Sequence, residues 1–306
     1  MRVLTTFGRH LRSHFGFSVR KIPLAIPGFT CPNIDGKVGR GGCTYCLNES
    51  FSPNLRGAAN GVTLEAQIEA LRSQYREGAK AFRSQGCRHF IAYFQSFSNT
   101  YAPLETLRAL HDTALALSGC VGISIATRAD CIDDRTLEYL AALEKKTYLW
   151  VEIGIQSSND ETLNAINRGE TFDSVAAIIG KLKERNLRVC AHLIFGLAND
   201  DRQSIMHTVD RVAHLNIDAL KIHPLYIVKN TALAQSFIKQ EFVPITFETY
   251  AELLLEAIAK LPQNIILQRI SAGIDSDMLL APNWCRNKNS FMATIRNRLR
   301  QQQIIY

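Results

Sequence analysis

Six short apolar runs alternate with amphipathic stretches between residues 21 and 226, and this alternation constrains the fold more than any other feature of the sequence. The runs are Lys21–Ile26, Arg88–Gln95, Val121–Arg128, Tyr148–Gln156, Arg188–Ile194 and Ala219–Tyr226. The helical stretches are Leu64–Ser84, Pro103–Ser118, Asp134–Lys145, Asp173–Arg185 and Asp200–Leu215, with starts signalled by Asp133 or Asp134, Asp173 and the pair Asp200–Asp201. A βαβα order predicts one parallel sheet with helices on its outer face. Six units make a partial (β/α)6 barrel rather than a closed ring of eight. The expected class is therefore α/β, with a core barrel over 15–245 and a small C-terminal extension over 246–306. That extension reads as a helix near Thr246–Leu261, a strand at Ile265–Arg269 and a basic helix at Asn289–Gln302.

Side chains alternate faces along a strand. Val121, Ile123 and Ile125 oppose Gly122, Ser124, Ala126 and Arg128; Leu149, Val151, Ile153 and Ile155 oppose Glu152, Gly154 and Gln156. Val189, Ala191 and Leu193 oppose Cys190 and His192, and Leu220 and Ile222 oppose Lys221 and His223. The apolar face must meet the helices, which turns the polar and small face inward. Barrel interiors are normally filled by branched side chains, and buried charges are costly unless paired or hydrated. Ser124, Arg128, Glu152, Gln156, His192, Lys221 and His223 thus predict a hollow interior that holds a polar ligand. An internal salt-bridge network without a ligand is the alternative, against which stands the volume that Gly122, Ser124, Ala126 and Gly154 leave unfilled.

With 46% apolar and 21% charged residues, the chain is neither disordered nor fibrous. No apolar run is long enough to cross a membrane. No signal-peptide core is present, so a cytoplasmic location is expected. Charge is uneven. Arg2, Arg9, Arg12, Arg20 and Lys21 precede the first acidic residue, Asp35, and Arg286, Lys288, Arg296, Arg298 and Arg300 follow the last, Asp277. Two basic ends on an acidic body predict a polyanion contact, with the ends flanking the barrel mouth. Solvated surface, or an Arg-rich transit peptide, are the other readings of the same residues.

Eight cysteines in 306 residues make no dense disulfide framework. Three of them, Cys31, Cys43 and Cys46, follow the first strand, with Gly36, Gly39, Gly41 and Gly42 between the first and second. Loops after strands form the active face of such barrels. Structural zinc needs four ligands, usually from two Cys-x-x-Cys pairs, and no second pair exists. Three thiolates suit a four-iron cluster with one iron left open for a ligand; zinc is the alternative. Cys87, Cys120, Cys131, Cys190 and Cys285 are isolated and read as ordinary thiols.

The Cys31…Cys43-Thr-Tyr45-Cys46 arrangement resembles the radical S-adenosylmethionine (SAM) superfamily. Lys21-Ile-Pro, Gly28-Phe-Thr-Cys-Pro-Asn, Thr127-Arg128-Ala129-Asp130, Gly154-Ile-Gln-Ser157, Asn167-Arg168-Gly169, Phe195-Gly-Leu197 and Lys221-Ile-His-Pro224 are similar to its YhcC group. That group is related to the elongator catalytic subunit and to oxygen-independent coproporphyrinogen dehydrogenase. The resemblance implies a [4Fe–4S] cluster on Cys31, Cys43 and Cys46. It also implies SAM on the open iron, and cleavage to a 5′-deoxyadenosyl radical by an electron from a donor such as flavodoxin or ferredoxin. It places Tyr45 and Leu197 against the adenine, and Gln95 and Ser96 at the methionine amine. Arg128 or Arg168 would take the methionine carboxylate, and Gln156 a further hydrogen bond to the cofactor. Ala126 and His192 stand where the porphyrinogen enzyme has acidic residues, so His192 is carried over as a cofactor contact in changed form. Glu152, Lys221 and His223 receive no role from the resemblance. The relation to the elongator subunit, with the charge split, makes tRNA the expected substrate; a small molecule or a protein side chain is the alternative.

Overall fold

The computed structural model describes residues 2–50, 52, 61–271 and 277–306. In chain order the elements are β1 (Arg2–Val3), α1 (Phe7–Phe15), β2 (Val19–Leu24), α2 (Pro32–Asp35), α3 (Leu64–Arg83), β3 (His89–Phe94), α4 (Leu104–Leu115), β4 (Cys120–Thr127), α5 (Asp134–Glu144) and β5 (Tyr148–Gln156). They continue with α6 (Asp160–Ala165), α7 (Phe172–Glu184), β6 (Val189–Phe195), α8 (Arg202–Ala213), β7 (Ala219–Pro224), β8 (Ile227–Val228), α9 (Ala232–Ile238), α10 (Phe247–Lys260), β9 (Ile266–Arg269), β10 (Leu279–Ala281), α11 (Lys288–Gln301) and β11 (Ile304–Ile305). Side-chain caps mark the helix starts: Asp133 accepts from Thr136 N at 2.7 Å and Asp201 from Ser204 N at 2.8 Å. The cap of α7 is Thr171 rather than Asp173, which lies in the first turn.

One seven-stranded parallel sheet, in the order β2-β3-β4-β5-β6-β7-β9, forms the partial barrel. Six of its strands are those expected from the alternation; the seventh, β9, comes from the predicted tail strand. Ile123, Ile125, Leu149, Val151, Ile153, Val189, Leu193, Leu220 and Ile222 all pack into the main core beneath the helices, as the parity argument requires.

The interior is layered. At the amino ends of the strands Val19, Ile91, Tyr148, Trp150, Cys190, Ala219 and Ile266 form a separate apolar cluster, and Leu11, Phe7 and Phe15 of α1 pack on it. Helix α1 therefore plugs the end opposite the cysteine loop, so the Arg-rich start does not flank the mouth. Its cations have local work. Arg2 donates to the carbonyls of Ile258, Ala259 and Leu261 at the end of α10. Arg9 donates to Leu4 O and Arg12 to Ser18 Oγ. β1 pairs parallel with β11, which brings the two chain ends together. Among the described residues no helix is long and apolar enough to cross a membrane.

Candidate functional site

Above the plug lies a polar layer built around Glu152, which is fully buried. Its carboxylate pairs with the ammonium groups of both Lys21 and Lys221. It also accepts from Ser124 Oγ at 2.6 Å and lies 2.9 Å from His192 Nε2. Gln268 accepts from Lys21 at 2.9 Å, and the Tyr93 ring lies under both ammonium groups, 4.7 and 4.5 Å from its centroid. Burial alone would raise the Glu152 pKa, but Lys21 and Lys221 hold it well below the usual carboxylate range. Burial lowers Lys21 to about 8. Lys221 is held above the usual lysine range because Glu152 outweighs the burial cost. Burial, with Lys221 next, lowers His192 to about 4, so at neutral pH it is an uncharged donor to Glu152.

A cavity of ≈ 560 Å³ opens above this layer at the carboxyl ends of the strands. Cys31, Cys43 and Cys46 line it, together with Tyr45, Gln95, Arg128, Gln156, Arg168 and His192. Nine of the eleven residues expected at the site thus share one wall system. The other two do not reach it. Ser96 is fully buried and bonded to Ser52 Oγ at 2.6 Å, and Leu197 borders a second cavity beside α10.

The cysteine loop is held by its own backbone. Gly41 and Gly42 both take positive φ, +79° and +77°, a conformation costly for other residues. The loop docks on the segment after α6 through Thr44 N to Ile166 O at 3.0 Å and Asn167 Nδ2 to Gly42 O at 2.8 Å. Amides of Asn33 and Asn48 approach the sulfurs of Cys43 and Cys46 at 3.7 Å each. Burial, then the neighbouring Cys43 and Cys31, pushes the Cys46 thiol up to about 12. A Cys46 thiol whose ionisation is opposed by burial and by its two neighbours fits a cationic centre that would offset the charge. Among the described residues no three His, Cys, Asp or Glu side chains converge on a single-ion site, whereas a cluster takes each thiolate on a different iron.

The two arginines are not equivalent. Arg128 is committed to Asp130, at 2.9 and 2.6 Å, to Glu170 at 3.2 Å and to Arg168 O at 2.9 Å. Arg168 pairs with Glu170 at 2.8 Å and donates to Gly154 O at 2.7 Å, and its Nε is buried without a partner. Gln156 takes φ +71°, and its Oε1 is likewise buried and unpartnered. A side chain at Gly154 would collide with Gln156 Nε2 at 2.4 Å, so that glycine makes the room in which Gln156 and Arg168 sit. Strained backbone and orphaned polar atoms of this kind mark a binding site.

A model of the radical SAM superfamily matches residues 35–212, and one of the radical SAM C-terminal domain matches 217–301. The chain belongs to the radical SAM superfamily. It is 37% identical over 294 residues to uncharacterized protein YtqA of Bacillus subtilis, covering 96% of this chain and 88% of that one. It is 34% identical over 293 residues to protein YhcC of Escherichia coli, covering 94% and 89%. A shorter match, 24% over 180 residues, relates 58% of it to 32% of a tRNA uridine(34) acetyltransferase of Methanocaldococcus jannaschii. Among solved structures, archaeal Methanocaldococcus infernus Elp3 superposes with a TM-score of 0.67 at 15% identity, over 93% of this chain and 63% of that one. The Escherichia coli radical SAM enzyme HemN superposes with a TM-score of 0.55 at 21% identity, over 82% and 54%. The chain spans less than two thirds of either solved structure, and at these identities the likeness is one of fold. The protein is thus a radical SAM enzyme with the partial-barrel fold of its superfamily.

Lys21, Tyr93, Tyr226 and Arg269 are site residues that the strand parities did not single out; all but Lys21 line the cavity. The first strand begins at Val19 rather than Lys21, and its alternation sets Val19, Lys21 and Pro23 opposite the buried Ile22 and Leu24.

Proposed function

We propose that Cys31, Cys43 and Cys46 hold a [4Fe–4S] cluster, that SAM binds beside it, and that the substrate is a tRNA. When bound and reduced by a donor such as flavodoxin or ferredoxin, this pair supplies the electron and the scissile carbon–sulfur bond for a hydrogen-abstracting 5′-deoxyadenosyl radical. The chain's own residues do the rest. The three thiols, and the Asn33 and Asn48 amides near two of them, receive the cluster. Gln156 and Arg168 line the same cavity, and the buried Gln156 Oε1 and Arg168 Nε are an acceptor and a donor without a hydrogen-bond partner, available to a polar ligand once the side chains turn to it. The α1 plug and the apolar layer above it exclude water from the closed end. The observation that carries this reading is that the three cysteines and Gln156, whose side-chain oxygen has no hydrogen bond, line one cavity. Reduced protein with SAM is expected to form 5′-deoxyadenosine without substrate, and Gln156→Ala to weaken SAM binding by about tenfold while keeping its iron, the loss of one buried hydrogen bond. Unchanged SAM affinity in that variant removes Gln156 from the cofactor site.

The tRNA part rests on α11 and on the tRNA-modifying relatives. Arg296 and Arg300 are exposed, lie one turn apart and have no carboxylate within ion-pair distance among the described residues. Arg298, on another face, is taken by Glu248 at 2.6 Å. Each phosphate contact adds about 0.7–0.9 to the salt slope of binding. The double change Arg296→Ala/Arg300→Ala is therefore expected to lower the tRNA salt slope by about one to two units, with 5′-deoxyadenosine formation unchanged. Absence of salt-sensitive tRNA binding by the unaltered protein at low ionic strength transfers the substrate to the small-molecule or protein-side-chain class.

A further inference from the structure

The charges of the cavity are unevenly balanced. On the cysteine side, Arg128 and Arg168 are matched by Asp130 and Glu170. In the layer beneath the cavity Glu152 faces both Lys21 and Lys221 and is used up by them. Arg269 then adds a third cation. It is the last residue of β9, it lies directly across the β7–β9 pairing from Lys221, and it lines the cavity. Its Nε donates to Ser271 O, which fixes the guanidinium plane. Among the described residues no carboxylate pairs with it, and its two terminal nitrogens make no hydrogen bond there. The remaining carboxylate on the cavity wall, Glu49, is an exposed residue of the cysteine-loop side.

The surroundings feel this unbalanced charge. Burial lowers His223 to about 3, and Arg269 is the next cause. Burial and then Arg269 also lower Lys288, the first residue of α11. A half-buried cation on a cavity wall, without a counter-charge among the described residues, is a ready partner for an anionic ligand. A guanidinium anchored at Nε leaves a two-pronged donor edge, the geometry that matches a carboxylate or phosphate.

We propose that Arg269, with Lys221 across from it on the β7–β9 wall of the cavity, anchors an anionic oxygen group of the substrate, a carboxylate or a phosphate. The inference deepens the reading of this cavity as the radical SAM site and rests on it. The test keeps the two separable. Cluster absorbance and 5′-deoxyadenosine formation are recorded first on the anaerobically loaded protein, and their absence defeats the site reading alone. The loaded protein is then titrated calorimetrically with inorganic phosphate and, separately, with glutarate, at constant ionic strength. Saturable binding of at least one is expected, weakened about tenfold or more in Arg269→Gln, the loss of a charge-assisted contact. Arg269→Lys keeps the charge without the fork and is expected to fall between the two. Preference for phosphate assigns a nucleotide-like source to the anion, and preference for glutarate an amino-acid-like one. Arg269→Gln variants that keep their iron and bind both probes like the unaltered protein overturn the proposal, as does the absence of binding of either probe to the unaltered protein.

Discussion

Cys31→Ala, Cys43→Ala and Cys46→Ala are each expected to abolish the iron content and brown absorbance of anaerobically reconstituted protein. The expectation follows from the position of the thiols more than from their number. The chain has eight cysteines, but only these three line the cavity at the carboxyl ends of the strands. Cys190 is the instructive contrast. It points into the barrel too, yet it sits in the apolar layer under α1, and burial raises its pKa beyond the usual thiol range. Cys131 is buried near Asp130, and Cys285 packs in a small cluster with Val228 and Leu279. A buried thiol without a compensating cation stays protonated and inert. Replacing Cys87, Cys120, Cys131, Cys190 or Cys285 is therefore expected to leave the iron in place. In the proposed cluster each of the three thiols would serve a different iron, so none of them would be dispensable. Iron measured by absorbance and by metal analysis decides the matter, and full retention in Cys43→Ala would sink the assignment.

How far the site was legible in the sequence depended on strand boundaries. The parity of Val121–Arg128 and Tyr148–Gln156 turned Ser124, Glu152 and Gln156 inward, and all three are buried or line the cavity. The same alternation sets Lys21 opposite Ile22, Leu24 and Ile26 in the run Lys21–Ile26, so Lys21 is legible by the rule applied to the other four strands. Arg269 was missed because its strand was read as part of a separate tail, where the question of an inward face does not arise. Nothing local says that a short strand after a long helix returns to close the edge of the sheet; that follows from the packing of α10. The basic N-terminus was misplaced for a related reason. Charge indicates which residues avoid a dry core, but the amphipathic pattern of Phe7, Leu11 and Phe15 is what seats α1 over the closed end. Ser96 and Leu197 were placed by resemblance, and here the backbone beyond β3 and β6 turns them away from the cavity. The alternative of an internal salt-bridge network was half of the outcome: the Glu152 cluster is such a network, and the cavity stands above it.

That network makes Glu152 the residue whose loss should harm the fold most. Glu152→Ala leaves the ammonium groups of Lys21 and Lys221 facing each other around a void, with His192 and Ser124 stripped of their acceptor. Breaking a buried pair on one side costs about 3–5 kcal/mol, because the remaining charge is uncompensated. A loss of that order in urea unfolding at pH 7 is expected. The pH dependence separates a charge effect from a simple cavity. Lys21 already has a folded pKa of about 8, below its ordinary value. A lysine lowered in the folded state binds fewer protons there than in the unfolded chain, so stability rises with pH through the window above its folded pKa. Without Glu152 both lysines lose the carboxylate that favours their charge, the window moves down, and more than one proton is involved. The deficit of Glu152→Ala should therefore be smaller at pH 9 than at pH 7. Glu152→Gln/Lys221→Met, which removes one cation with the anion and keeps most of the volume, should recover a large part of the loss. An equal deficit at both pH values, with no recovery in the double variant, would mean that the cost is packing alone. The paired charges would then contribute nothing to holding the floor on which the Arg269 wall and the cavity are built.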